Sequence, residues 1–323
     1  MPTYACAVTP PIVVQGLTRT FAGKAGVAAA VAGIDLEIAD GEIFGLLGPN
    51  GAGKTTTIRM LTTLLKPTAG SAVVAGFDVV RQPAEVRRAI GAALQEAAID
   101  PLMTGAEMMT LQGTLHGLSR TEIRGRTDAL LRRFGLDVVA GSRVSAYSGG
   151  MRRRLDLALS LIHEPTVLFL DEPTTGIDPT SRLAVWDEVR ALRAQGTTVL
   201  LTTQYLEEAD RLCDRVAIMD GGHIVACGTA EELKASVGVP TLLVGVAADV
   251  VAQAQGVLAR FGEDRPADGG LLAIALAGGS ARIAEVVRAL DEAGVGIERM
   301  RLDPPSLDDV FAAVTGRVLE GAA

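Results

Sequence analysis

The 323-residue sequence predicts an α/β fold built on a parallel sheet, followed by a smaller second α/β domain. Three observations carry this. Short apolar runs at 43–47, 167–170, 198–201 and 216–219 read as buried parallel strands. Helix-like segments lie between them, as at 151–161, where Met151, Leu155, Ala158, Leu159 and Ile162 recur at helical spacing. A break at Val237-Gly238-Val239-Pro240 then opens a fresh alternation of strands and helices.

Taken in order, 12–14 and 34–38 are short strands of an N-terminal sheet, with 25–32 an insertion-like stretch between them. The run 43–47 ends in a Gly-rich loop, and a helix over 55–65 follows, stopped by Pro67. Residues 71–74 form another strand, and 83–135 are mostly helical in pattern. Beyond the break, strands at 241–247, 271–277 and 297–302 alternate with helices at 249–261, 281–293 and 306–316. The last helix opens on Ser306 with Asp309 three residues on, a capping-box-like start. Val257, Leu258, Phe261, Ile283, Val286, Val287 and Leu290 read as the core of this domain, which carries no catalytic cluster. Dimerisation or regulation is its expected role.

Composition narrows the function. With 48% hydrophobic and 21% charged residues the chain is ordinary globular material, not a disordered one. Net charge is -8, of which 7 Arg and 12 Asp or Glu from residue 240 onward hold -5. So acidic a chain lacks the basic footprint of a nucleic-acid binder and the polybasic patch of a membrane-surface protein. Cys6, Cys213 and Cys227 are scattered, which suggests neither a zinc site nor a disulfide framework, and a reduced cytoplasmic setting is the default. No apolar stretch suits a membrane span: 242–259, the best candidate, carries Asp249 and two glutamines. The first residues lack the basic start of a signal peptide.

Gly48-Pro49-Asn50-Gly51-Ala52-Gly53-Lys54-Thr55-Thr56 fits G-x-x-x-x-G-K-[ST] between a strand and a helix. Its glycines let backbone N–H groups turn inward around phosphates, and the helix N-terminus adds partial positive charge. Lys54 reaches the β- and γ-phosphates, and the Thr55 hydroxyl can ligate Mg²⁺. The run 167–170 is followed by Asp171 and Glu172, which emerge at a strand's C-terminal end, where open α/β sheets bind ligands. Asp171 would hold Mg²⁺ through a water, and Glu172 would orient and deprotonate the attacking water. Ser148, Gly149 and Gly150 head a helix and offer a second anion site. On these residues alone a plain Ser N-cap with flexible glycines is the favoured reading. The economical alternative is that the second site closes over the ATP of a neighbouring copy. The Arg152-Arg153-Arg154 run reads as a solvated helix start.

Together these residues resemble the ATP-binding-cassette (ABC) transporter family. Residues 48–55 resemble its Walker A motif, 168–172 its Walker B, and Tyr147-Ser148-Gly149-Gly150-Met151 its signature motif, 23 residues before Asp171 when counted from Ser148. Thr175-Gly176-Ile177-Asp178 resembles the D-loop, with Asp178 at the dimer contact. Gln95, 41 residues after Lys54, falls at the Q-loop glutamine. The resemblance gives it a part in catalysis and in holding Mg²⁺. Phe21 would be the aromatic that stacks on adenine. Tyr-Ser-Gly-Gly-Met-Arg-Arg-Arg-Leu-Asp, Thr202-Thr203-Gln204-Tyr205-Leu206-Glu207-Glu208 and the tail Ser306-Leu307-Asp308-Asp309-Val310-Phe311 are similar to the daunorubicin-resistance type of exporter ATPase.

The resemblance implies a P-loop NTPase cassette over 11–236, with a RecA-like core, an antiparallel β subdomain and a helical subdomain at about 85–150, then an accessory α/β domain over 240–317. It further implies ATP and Mg²⁺ as ligands, a homodimer of cassettes, a separate membrane permease, a place on the inner face of a bacterial cell membrane, and export of a drug-like compound. Two rivals are a soluble cassette ATPase acting on ribosomes or DNA, and a regulatory module that only binds nucleotide. A single cassette without zinc modules or coiled coil opposes the first; Lys54, Asp171 and Glu172 oppose the second.

One departure from the general cassette pattern is Gln204, where histidine is usual. A glutamine amide donates a hydrogen bond to a γ-phosphate but carries no positive charge. Turnover is therefore expected to be modest, and Gln204→His is expected to raise the steady-state phosphate-release rate; a fall would oppose this reading of the position.

Overall fold

A computed structural model describes residues 9–23, 26–95, 99–265, 267 and 270–316. The described residues divide into two compact units, one up to Thr229 and one from Ala230 to Gly316.

In the first unit β1 (Ile12–Gly23) and β2 (Gly26–Ile38) form a hairpin, followed by β3 (Ile43–Leu47), α1 (Lys54–Leu61), β4 (Ala69–Val74) and β5 (Phe77–Asp78). Next come α2 (Pro83–Ala89), β6 (Ile90–Ala93), α3 (Gly105–Leu115), α4 (Arg120–Arg133) and α5 (Gly149–Leu161). The unit closes with β7 (Val167–Asp171), α6 (Pro179–Ala194), β8 (Thr198–Thr203), α7 (Leu206–Leu212), β9 (Arg215–Asp220) and β10 (His223–Gly228).

Two sheets organise these elements. An antiparallel sheet runs β2-β1-β4-β5, and a six-stranded sheet runs β10-β9-β3-β8-β7-β6. All neighbours in the second are parallel except β10, which is antiparallel to β9. Successive side chains of a strand point to opposite faces. Along β7, Val167 and Phe169 accordingly join the core shared with α1 and the antiparallel sheet, with Ile58, Leu61 and Ile12. Leu168 and Leu170 face the other way, into a core shared with α3 to α6, with Met109, Leu131, Leu157 and Trp186. A strand buried on both faces has no polar alternation, which is why it reads as a continuous apolar run.

The second unit holds α8 (Ala230–Ser236), β11 (Thr241–Val246), α9 (Val251–Leu258), β12 (Leu272–Ala275), α10 (Ile283–Glu292), β13 (Ile297–Asp303) and α11 (Leu307–Thr315). Its sheet runs β12-β11-β13, antiparallel throughout. Leu242, Val244, Leu258, Val286 and Leu290 form its core. Val287, expected there, is exposed. The box at the start of α11 is formed both ways: Asp309 N donates to Ser306 Oγ at 3.2 Å, and Ser306 N to Asp309 Oδ2 at 2.8 Å. Among the described residues no helix is long and apolar enough to cross a membrane.

Three expectations need correction. Residues 26–32 are not an insertion but the first half of β2, paired with β1 through bulged register; small apolar side chains there gave no alternation to read. Ile90-Gly91-Ala92-Ala93 lies inside the stretch that reads as helical, yet forms the edge strand β6 on β7. Its Gly and Ala are weak strand formers, and tertiary packing decides. The units also divide at Thr229, ahead of the 237–240 break, because α8 packs on α11 and buries Leu233.

Gly91 explains the composition of β6. A Cβ there would sit 2.3 Å from the Ser160 carbonyl oxygen of α5, so the helix could not approach the strand. Gly91→Ala is expected to cost about 1–3 kcal/mol by overpacking, read as a lowered denaturant midpoint with an unchanged slope.

Candidate functional site: a phosphate loop facing two carboxylates

The loop from Gly48 to Gly53 joins β3, whose five residues are all buried, to α1. Two of its glycines are dictated by close approach. A Cβ on Gly48 would lie 2.2 Å from the Met219 carbonyl oxygen, and one on Gly53 2.3 Å from that of Ala30. Gly53 also has φ of 108°, a left-handed conformation that other residues adopt at a cost. No side chain caps the first turn of α1, so its N–H groups remain available to an anion. A cleft of about 290 Å³ is lined by Ala30, Pro49, Asn50, Gly51, Ala52, Gly53, Lys54, Thr55, Thr56, Gln95 and Glu172.

Lys54 is only 4% exposed. Its Nζ donates to the carbonyls of Gly48 at 2.7 Å and Pro49 at 3.1 Å, and lies 3.6 Å from Glu172 Oε1. Burial pulls its pKa down from the ordinary lysine value, and the carboxylates of Glu172 and Asp171 oppose that shift. Asp171 is buried at the end of β7, where its Oδ1 accepts from the Thr55 hydroxyl at 3.2 Å and the Thr202 hydroxyl at 2.5 Å. The adjacent residue, Glu172, has φ of 49°, in the left-handed region. Its N–H is held by the Thr202 carbonyl and hydroxyl, both at 3.1 Å, and its Oε2 accepts from Thr175 Oγ1 at 3.2 Å. The strand order explains this meeting. β3 pairs with β8, and β8 with β7, so the phosphate loop, Thr202 and the two acids all emerge at one sheet end.

Of the other expected residues, Gln95 is exposed just past β6 and lines the cleft. Gln204 is half-buried one residue beyond β8, next to Thr203, whose carbonyl accepts from Gly48 N at 3.3 Å. It is not among the lining residues. Nor is Phe21, which is 42% exposed on β1 with the Arg19 guanidinium 4.6 Å over its ring. Ser148 caps α5, accepting from Met151 N at 3.2 Å, and neither it nor Gly149 nor Gly150 lines the cleft. A Cβ on Gly150 would lie 2.9 Å from Ser181 Oγ. The Ser181 hydroxyl donates to Asp178 Oδ2 at 2.6 Å and its N–H to Asp178 Oδ1 at 2.9 Å, so Asp178 caps α6. These bonds hold the Asp178 carboxyl below its usual range. The head of α5 and Asp178 are therefore brought together, apart from the residues that line the chain's own cleft.

The reading of the arginine run holds for Arg152 alone, which is exposed. The Arg154 guanidinium donates to the Phe134 carbonyl at 2.8 Å. The Arg153 side chain is 12% exposed and pairs with Asp156 at 3.1 Å. Burial pushes the Asp156 carboxyl up to about 6, against the pull of Arg153. Two further groups escaped the sequence. Thr202 is one, a threonine ending a buried strand. Glu208 is the other: fully buried, it accepts from Trp186 Nε1 at 2.8 Å and Thr174 Oγ1 at 2.9 Å, and burial raises its pKa.

The ABC transporter family model matches residues 31–175, and the C-terminal domain model of DrrA1-3-like ATP-binding proteins matches 228–315. The chain is 48% identical to the daunorubicin resistance ATP-binding protein DrrA3 of Streptomyces coeruleorubidus, over 96% of this chain and 98% of that one. It is 37% identical to the Nod factor export ATP-binding protein I of Ralstonia nicotianae, over 96% and 95%. A solved ATP-binding subunit of an ABC transporter superposes with a TM-score of 0.64 at 28% identity, covering 70% of this chain and 92% of that one. A dimeric ATP-binding cassette solved with ADP and Pi shares the fold, with a TM-score of 0.63 at 23% identity over 68% and 98%. With its phosphate loop, acidic pair and C-terminal unit all accounted for, the chain belongs to the ATP-binding subunits of ABC transporters, in the daunorubicin-resistance group of ATPases.

Proposed function

We propose that two copies of this chain bind two ATP molecules between them and use hydrolysis to drive efflux of a drug-like, hydrophobic compound through a separate membrane permease. The observation that carries the reading is the division of labour within one chain. The Lys54 loop and Glu172 share a cleft that Ser148, Gly149 and Gly150 do not line. A second helix end, capped by Ser148 and set apart from this cleft, is accounted for if it covers a partner's nucleotide, with Asp178 beside it at the dimer contact.

In this reading residues 48–56 hold the phosphates, Lys54 moving its donors from loop carbonyls to the β- and γ-phosphates. Glu172 takes a proton from the attacking water as the water oxygen bonds to the γ-phosphorus, the bond from that phosphorus to the bridging oxygen breaks, and ADP and inorganic phosphate leave. Gln95 and Gln204 orient the water and the γ-phosphate, and Phe21 lies against the adenine. Thr55 and Asp171, 3.2 Å apart, offer the hard oxygen donors that suit Mg²⁺, with Gln95 completing the set. Held there, Mg²⁺ would supply charge neutralisation to the phosphates. The chain then works at the inner face of a bacterial cell membrane, held there by the permease, and its C-terminal unit serves dimerisation or regulation. Efflux rather than uptake is supported by relatives whose names specify drug resistance and Nod factor export.

Two variants test the site. Lys54→Ala is expected to abolish ATP binding by titration calorimetry; unchanged binding would remove the phosphate-loop assignment. Glu172→Gln is expected to cut hydrolysis by about 10²–10⁴-fold and to trap an ATP-bound dimer, seen as a doubled mass in light scattering. A monomer under saturating ATP and Mg²⁺ would rule out the sandwich. Co-purification from membranes identifies the permease, and compounds that stimulate the ATPase of that complex identify the cargo.

A further inference from the structure

Arg153 sits in the second turn of α5, the helix capped by Ser148. Its guanidinium donates four hydrogen bonds. Nε reaches the Pro173 carbonyl at 2.9 Å and Nη2 the Asp171 carbonyl at 2.9 Å. Nη1 reaches the Leu94 carbonyl at 2.9 Å and Asp156 Oδ2 at 3.1 Å. Two of these carbonyls bracket Glu172 on either side, and the third belongs to the residue before Gln95.

A non-glycine residue in the left-handed region persists only where its surroundings over-determine it. Around Glu172 the backbone is held by Thr202 on the N–H, by Thr175 N–H on the Glu172 carbonyl at 3.2 Å, and by Arg153 on the carbonyls before and after. A planar fork with fixed donor directions suits this task, because it holds several carbonyls at set angles at once. Lysine presents a point charge and cannot. Asp156 supplies the countercharge that a near-buried guanidinium requires. Leu94 and Asp156 also line a groove of about 340 Å³ with Met108 and Gln112 of α3, so the same cation links that groove to the catalytic loop.

We propose that Arg153 is a positioning residue: it fixes the backbone that carries Glu172 and Gln95, and so ties the helix headed by Ser148 to this chain's own hydrolytic centre. This rests on the reading of Glu172 as the base. The 48–56 loop makes no bond to Arg153, which meets Asp171 at its carbonyl and not at the carboxylate offered to Mg²⁺, so its loss acts on the chemical step more than on ATP binding.

The test uses the full chain carrying Arg153→Met, Arg153→Lys, Glu172→Gln, or Arg153→Met with Glu172→Gln. Steady-state kinetics are run at varied ATP, with equilibrium ATP binding and single-turnover hydrolysis of radiolabelled ATP. Arg153→Met is expected to lower kcat about tenfold or more, as misplacement of a catalytic group does. KM and ATP affinity stay within about twofold. Arg153→Lys gives an intermediate kcat, and carries the test should the methionine variant not fold. In the Glu172→Gln background Arg153→Met costs less than in the wild type, since one of the two groups it positions is gone. Wild-type kcat in both Arg153 variants overturns the proposal, as does a kcat loss matched by an equal loss of ATP affinity, or an undiminished effect on top of Glu172→Gln. If Glu172→Gln itself hydrolyses ATP at the wild-type rate, the base reading falls and takes this proposal with it. The failures are thereby told apart.

Discussion

A lysine ammonium buried to within 4% of full enclosure is the constraint around which the first unit is arranged. Taking such a charge out of water costs several kcal/mol unless partners replace the solvent. Here the replacements are two carbonyls of its own loop and the carboxylate of Glu172, with Asp171 close enough to favour the charged form. The two acids come from the end of β7, distant from Lys54 in sequence, so the sheet order β3-β8-β7 is what brings their carboxylates to it. The same order delivers Thr202, whose hydroxyl donates to Asp171 while accepting from the Glu172 N–H. Within this cluster the two acids are pre-organised by Thr202, which lowers the ordering left for later steps.

The second helix end gives this organisation its logic. Ser148 and its two glycines crown α5, and α5 is bolted to the acidic loop through Arg153. Asp178, which caps the next helix, lies against Gly150 through Ser181. A continuous set of bonds thus runs from the Ser148 end of α5 to the acidic loop that borders the chain's own cleft. In a family of paired ATPases such a body suits a machine whose two sites act together, because a shift at one helix head cannot leave the other site untouched.

How much of this could be read from the chain depends on the range of the interaction involved. The phosphate loop is legible because its residues are contiguous and its glycines have local causes, visible at Gly48 and Gly53. The acidic pair is legible because β7 is apolar on both faces and its polarity changes abruptly at Asp171. Capping of α11 by Ser306 and Asp309 is equally local. What stays hidden is set by tertiary contact. β6 is four residues of Ile, Gly and Ala that become a strand only because β7 offers an edge. Arg153 looks like its exposed neighbour Arg152, and nothing in the run tells which one turns inward. Glu208 reads as surface charge on a helix until Trp186 and Thr174 are seen to enclose it. Phe21 shows the converse: a residue marked by family pattern stands on β1 outside the residues that line the cleft.

The left-handed backbone of Glu172 has an evolutionary corollary. Glycine would occupy that conformation without the roughly 1–2 kcal/mol that a side chain incurs there, so stability and chemistry pull in opposite directions at this one position. A duplicated copy freed from turning over nucleotide would drift toward glycine and become sturdier as it fell silent.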